Sequence, residues 1–173
     1  MESDGAQRKQ RIAAKASLAR LAQPAWSVRA GVERDAVLRS LAMALRAGIP
    51  DVLRANALDV AQAVAGGYNK AFIDRLMLSQ DTLLGVADDI ETVAALPDPL
   101  AWQSAPTCLP SGLCLRRQAV PLGVLGVIYE SRPNVTIDIA AAALKSGNAV
   151  VLRGGREARK SNLALLQIIH RVL

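Results

Sequence analysis

The chain has 173 residues and a formal net charge of +6, with 51% hydrophobic, 21% charged and 3% aromatic residues. No apolar run reaches the roughly 18 consecutive residues of a membrane span, and so few aromatics leave little to stack on bases, which counts against both a membrane protein and a nucleic-acid platform. The basic residues are dispersed rather than gathered in one block, so a phosphorylated small molecule fits the charge as well as a polynucleotide does.

The spacing of Ile12, Ala16, Ala19 and Leu21 predicts a helix over residues 6–22, ended by Pro24. This opening stretch has no apolar core before a cleavage site, and Glu2 and Asp4 suit a transit peptide poorly, so a cytoplasmic location is expected. A second helix carries Val37, Leu38, Leu41, Ala42 and Leu45 and stops at Gly48. Pro50 and Asp51 then read as the first turn of a third helix, which presents Val52, Leu53, Ala57, Val60 and Val64 before Gly66 and Gly67 end it. A short helix follows over residues 71–77. Ser79 caps the next, whose face is Leu83, Val86, Ala87, Ile90 and Val93. Residues 1–98 thus form a helical N-terminal part.

From Pro99 the grammar changes. Residues 99–121 read as an extended hairpin around a turn at Pro110, Ser111 and Gly112. Cys108 and Cys114, the only two cysteines, are too few for a disulfide framework and are expected as thiols of ordinary reactivity. "GVLGVIY" has the length and composition of a strand buried on both faces, residues 135–144 read as a helix, and "NAVVLR" as a second such strand. A last helix over residues 161–173 turns Leu163, Leu166, Ile169 and Val172 inward. Strand, helix, strand, helix implies a right-handed crossover and a parallel sheet. A parallel sheet needs more than two covered strands. Residues 122–173 are therefore expected to be the first βαβα of a larger domain, with open edges that promote self-association.

Polar residues gather where each strand meets its following helix: Glu130, Ser131, Arg132 and Asn134 in "YESRPNVT", and Arg153, Gly154, Gly155 and Arg156 in "RGGR". Both turns belong to the carboxyl edge of the sheet, where open α/β folds bind ligands. Asn134 is either a helix cap or a group facing a ligand. Arginine grips phosphate bidentately, and glycine lets backbone approach it closely. Neither G-x-G-x-x-G nor G-x-x-x-x-G-K-[ST] occurs. Lys145 is either a helix-end cation or a site residue. His170, the single histidine, sits in a helix pattern and reads as a surface or interface residue.

"PLGVLGVIYESRPNVTIDIAAAALKSGNAVVLRGGREA" closely resembles the segment that opens the cofactor domain of γ-glutamyl phosphate reductase (glutamate-5-semialdehyde dehydrogenase), in the aldehyde dehydrogenase superfamily. "IAAKASLARLAQ", "ANALDVAQA", "IDRLMLS", "GVADDI" and "LPDP" extend the resemblance upstream in the same order. It implies an aldehyde dehydrogenase-like α/β fold with an incomplete Rossmann-like sheet. It also implies NADPH-dependent reduction of L-glutamyl 5-phosphate in proline biosynthesis: thiolate attack on the acyl phosphate, loss of phosphate, then hydride transfer. Asn134 corresponds to the superfamily's oxyanion-binding asparagine. The distance from it to Gly147 and Asn148 is shorter than in most aldehyde dehydrogenases, so Arg132 stands as the alternative occupant of that place and as a substrate-binding residue. Arg153 corresponds to the lysine that holds the adenosine ribose, and Gly154 and Gly155 join it at the cofactor. Arg156 stands where NAD-preferring members carry a glutamate, and a cation there attracts a 2′-phosphate. The catalytic cysteine of the family lies downstream of Leu173, so the chain alone is expected not to turn over. Residues 99–121 resemble the family's oligomerisation element, and the expected partners are the acyl phosphate, further subunits of a homo-oligomer and glutamate 5-kinase. The competing reading is a non-catalytic truncated module that assembles with full-length subunits.

Overall fold

The computed structural model describes residues 2–173. Six helices and two small sheets follow one another as α1 (Glu2–Ser27), α2 (Gly31–Ala65), α3 (Lys70–Leu76), α4 (Gln80–Ala95), β1 (Thr107–Cys108), β2 (Cys114–Leu115), β3 (Val124–Ile128), α5 (Val135–Lys145), β4 (Ala149–Arg153) and α6 (Arg159–Val172). Short 3-10 turns occupy Pro99–Ala101 and Arg156–Ala158.

Two prolines read as boundaries lie inside helices. α1 continues through Pro24 to Ser27. Its last turn is fastened across the molecule, where the Trp26 indole donates to the Leu144 carbonyl and the Gln23 amide to the Gly147 carbonyl, each at 3.0 Å. α2 runs unbroken through Gly48 and Pro50. An interior proline costs a helix about 3 kcal/mol, and burying Leu45, Ile49 and Val52 on either side of it outweighs that cost. Gly48 is no cap: a Cβ there would lie 2.7 Å from Ile168 Cδ1, so the glycine admits α6 close against α2.

α2 is the axis of the core. Leu38, Leu41, Leu45 and Val52 pack with Leu83 and Ile90 of α4, Ile137 of α5, and Leu165 and Ile168 of α6. The second half of α2 departs from its predicted stripe, since Ala57 and Val64 are exposed while Asn56 and Asp59 are buried. Asp59 Oδ2 accepts from the Ser161 backbone N–H and hydroxyl, both at 2.8 Å, and Oδ1 from the Lys160 N–H at 3.2 Å. That grip satisfies first-turn N–H groups of α6 and fixes the helix's rotation. Ser161, Leu165, Ile168 and Ile169 therefore point inward, and Leu163, expected inside, is exposed. Asn56 bonds the Leu76 carbonyl, the Leu78 N–H and the Ser161 hydroxyl, which docks the end of α3.

Ser79 caps α4 as expected, accepting from the Thr82 N–H at 3.0 Å. The other end of α4 is closed by Lys145. Its ammonium donates to the Ala94 and Leu96 carbonyls at 3.0 and 2.6 Å and pairs with Asp35 at 2.6 Å. Lys145 is thereby buried among structural partners at the end of α4.

β1 and β2 pair antiparallel, with Thr107 opposite Leu115 and Cys108 opposite Cys114. The turn uses Gly112 at φ +84. Cys108 and Cys114 are disulfide-bonded, which corrects the expectation of thiols: the hairpin register sets the two Cα atoms 4.0 Å apart and leaves their side chains adjacent. β3 and β4 pair in parallel from Val124 with Ala149 to Ile128 with Arg153. Neither strand is buried on both faces, and Ile128 is 79% exposed. Along β4 runs a groove of about 910 Å³ between α1 and the sheet, walled by Leu18, Ala22 and Trp26 on one side and Val150 and Leu152 on the other. No helix among the described residues is long and apolar enough to cross a membrane.

Candidate active site

The parallel register brings the ends of β3 and β4 side by side, so the turns that follow them meet. The Tyr129 N–H donates to the Arg153 carbonyl at 3.1 Å, which extends the ladder into the turns. Beyond it, the Ser131 hydroxyl donates to Glu157 Oε2 at 3.0 Å. A third segment joins from the helical part, where the Tyr68 phenol donates to Glu157 Oε1 at 3.2 Å. Together they border a cleft of about 400 Å³ with charged side chains at its rim, formed by Phe72 and Arg75 of α3, by Glu130, Ser131 and Arg132, and by Gly155 and Glu157.

Of the residues singled out in the sequence, Glu130, Ser131, Arg132 and Gly155 line this cleft. Arg153 and Arg156 stand exposed on the adjoining turn. None of these three arginines has a side-chain acceptor among the described residues, whereas Arg75 faces Glu130 at 3.7 Å. Unpaired guanidinium groups beside a concave surface are fitted to anionic oxygens, although Glu130 and Glu157 share its rim. The larger apolar groove under α1 lacks that chemistry. Its polar residues, Lys15, Arg29, Glu33 and His170 among them, border a surface that is otherwise alanine, leucine, valine, isoleucine and Trp26.

Asn134 occupies the N-cap position of α5 with helical backbone angles and makes no side-chain capping bond. Its Nδ2 donates instead to Asp138 Oδ2 at 3.2 Å. Desolvation raises the Asp138 pKa above the ordinary carboxylate value, and the bond from Asn134 opposes that shift. One amide N–H of Asn134 is thus fixed while the other remains for an acceptor. Thr136 donates to Asn162 Oδ1 at 2.9 Å, so in its 2.6 Å bond with Tyr129 the phenol is the donor. Burial holds that phenol above its usual pKa.

The two glycines of "RGGR" have a packing reason. A Cβ at Gly154 would overlap Asn162 Nδ2 and the Tyr129 ring, and one at Gly155 would overlap Ser131 Oγ and come within 2.9 Å of Glu157 Oε2. They let the second turn close against the first. Tyr68, Arg75 and Glu157 were missed by the sequence reading. The available signal was an aromatic residue directly after the Gly66-Gly67 stop, in the "GGYN" that separates two helices.

No group of histidine, cysteine and carboxylate residues suited to a metal occurs among the described residues. With Cys108 and Cys114 joined, the chain offers no free thiol as a nucleophile.

No family model matches the chain. Among curated proteins it is 55% identical over 136 residues to the gamma-glutamyl phosphate reductase of Deinococcus radiodurans, a match covering 79% of this chain and 32% of that one. The crystal structure of gamma-glutamyl phosphate reductase from Thermotoga maritima superposes with a TM-score of 0.89 at 34% identity, over 94% of this chain and 39% of that chain. A probable aldehyde dehydrogenase from Listeria monocytogenes shares the fold alone, with a TM-score of 0.69 at 14% identity, over 94% of this chain and 33% of that chain. The chain spans about a third of the length of the curated relatives it matches.

Proposed function

Because this chain belongs in sequence and fold to the gamma-glutamyl phosphate reductase family, we propose that it supplies the helical part and the first half of the NADPH-binding domain of such an enzyme. The reaction is reduction of L-glutamyl 5-phosphate to L-glutamate 5-semialdehyde with release of phosphate, in cytoplasmic proline biosynthesis. In this reading residues 1–98 are the helical part, 99–121 the oligomerisation hairpin and 122–173 the first βαβα of the cofactor domain. The observation that carries it is the meeting of the two carboxyl-edge turns, with Arg132, Arg153 and Arg156 lacking acceptors among the described residues.

Arg153 and Arg156 hold the adenosine ribose and its 2′-phosphate, with Gly154 and Gly155 admitting the backbone of that turn. Arg132 binds the acyl phosphate. Asn134, oriented by Asp138, offers its remaining amide N–H to the oxyanion, a contact of a kind worth about 2.7–4 kcal/mol in acyl transfer. NADPH, when bound, supplies the hydride. The chain has no free thiol, so it binds and orients without turning over by itself.

Fluorescence titration with NADPH and NADH tests the assignment, comparing wild type with Arg156→Glu. The reading predicts preference for NADPH in the wild type and its loss in the variant. An unchanged preference removes Arg156 from the site.

A second reading, a non-catalytic module that assembles with full-length subunits of a homo-oligomer, is favoured by the exposed apolar side chains Leu109, Leu113 and Leu115 on the hairpin. Copurification with an intact reductase supports it, and a monodisperse monomer in its presence excludes it. Association with glutamate 5-kinase belongs to the same proposal and is tested by the same copurification.

A further inference from the structure

Beside the arginines, the carboxyl edge holds an acidic side chain with both oxygens engaged. Glu157 receives the Ser131 hydroxyl on Oε2 and the Tyr68 phenol on Oε1. Tyr68 is in turn stacked on Phe72, with ring centroids 4.4 Å apart, and Phe72 lines the cleft. One carboxylate thus ties together the α2–α3 connection, the β3–α5 turn that carries Arg132 and the β4–α6 turn that carries Arg156. The carboxylate keeps its charge with two hydroxyls bound to it, so what it gives the neighbouring anion site is geometry, three segments held together, and not attraction.

We propose that Glu157 is a positioning residue: through Ser131 and Tyr68 it fixes the β4–α6 turn against the β3–α5 turn and the α2–α3 connection, so that Arg156 is held to meet a phosphate-bearing nucleotide and Arg132 to meet the acyl phosphate beside it. This rests on the nucleotide-binding reading above. The missing Cβ of Gly155 fits it, because a side chain there would push Ser131 and Glu157 apart. The backbone N–H of Glu157, the Ser131 and Tyr68 hydroxyls and the Arg156 charge together hold the carboxyl below its usual pKa against desolvation, which keeps it in the form that both donors need.

The test uses the full 173-residue chain with Glu157→Ala, Glu157→Gln, Ser131→Ala and the Glu157→Ala/Ser131→Ala double variant. Hydrogen exchange of residues 129–134 is read without nucleotide, and NADPH affinity by fluorescence. Glu157→Ala is expected to speed exchange of that segment and weaken NADPH binding, each about tenfold, with the double variant no worse than the single one. Glu157→Gln, which keeps an oxygen acceptor for Ser131, is expected to restore most of both. Unaltered exchange in Glu157→Ala, additive effects of the two alanine substitutions, or failure of Gln to rescue overturns the proposal. A wild-type chain that does not bind NADPH overturns the nucleotide reading instead, and the clamp then stands or falls on the exchange measurement and its rescue by Gln.

Discussion

Around α2 the polar side chains that enter the core are spent on partners: Asp59 on α6, Asn56 on the end of α3, and Lys145 on the carbonyls of α4. At the carboxyl edge of β3 and β4, Arg132, Arg153 and Arg156 are exposed and have no acceptor among the described residues. Polar and charged side chains therefore do opposite work in the two regions. Buried and paired, they fix helix orientation; exposed and unpaired on closely packed turns, they are available to a ligand. Substitutions that separate stability from binding sharpen this contrast, and substitutions that fail to separate them break it.

The largest effect is expected in the core. Leu45→Ala, at a fully buried position, should cost about 2–5 kcal/mol in denaturant unfolding. A smaller loss would show that the α2–α4–α6 packing relaxes around the gap. Asp59→Ala should cost about 1–3 kcal/mol, because it strands the buried N–H and hydroxyl of Ser161. An unchanged melting temperature would mean that Asp59 does not hold α6. At the carboxyl edge, Arg132→Ala should change stability by no more than about 0.5 kcal/mol while weakening ligand binding, and a large loss of stability there would erase the distinction.

The pH dependence of the clamp is smaller still. Glu157 has a lowered pKa, so its contribution is present above the ordinary carboxylate pKa and is lost as pH falls through the lowered folded value. Tyr68, raised first by its bond to Glu157, contributes below the ordinary phenol pKa and is lost as pH rises through its raised folded value. Exchange protection of residues 129–134 should therefore be flat between those limits and fall outside them. A step near neutrality would point to a different group. The smallest effect belongs to the hairpin: a thiol reagent should find no reactive cysteine before reduction and both Cys108 and Cys114 after it, with the melting of the helical core unchanged.

The sequence made much of this legible for physical reasons. Ser79 was readable as a cap because its partner, the Thr82 N–H, is local, and the order of β3, α5, β4 and α6 was readable because strand and helix periods differ. Pro24 and Pro50 misled, since what carries a helix past a proline is distant in sequence: bonds to the Leu144 and Gly147 carbonyls for Pro24, and packing against α4, α5 and α6 for Pro50. Asn56 and Asp59 were hidden for the same reason: a polar residue on an apolar face makes sense only once Ser161 is known to lie against it. At the site, the loops that bind were visible as clusters of arginine and glycine. Glu157 and Tyr68 were not, because their importance lies in a contact spanning residues 68 to 157.

The most direct test of the central claim is an NMR titration of the isotope-labelled chain with NADPH, mapping backbone amide shifts. The account predicts that perturbations gather at residues 129–134 and 153–158 and at Phe72 and Arg75. Shifts confined to α1 and the apolar groove beneath it, or no saturable shifts in a folded chain, would contradict it.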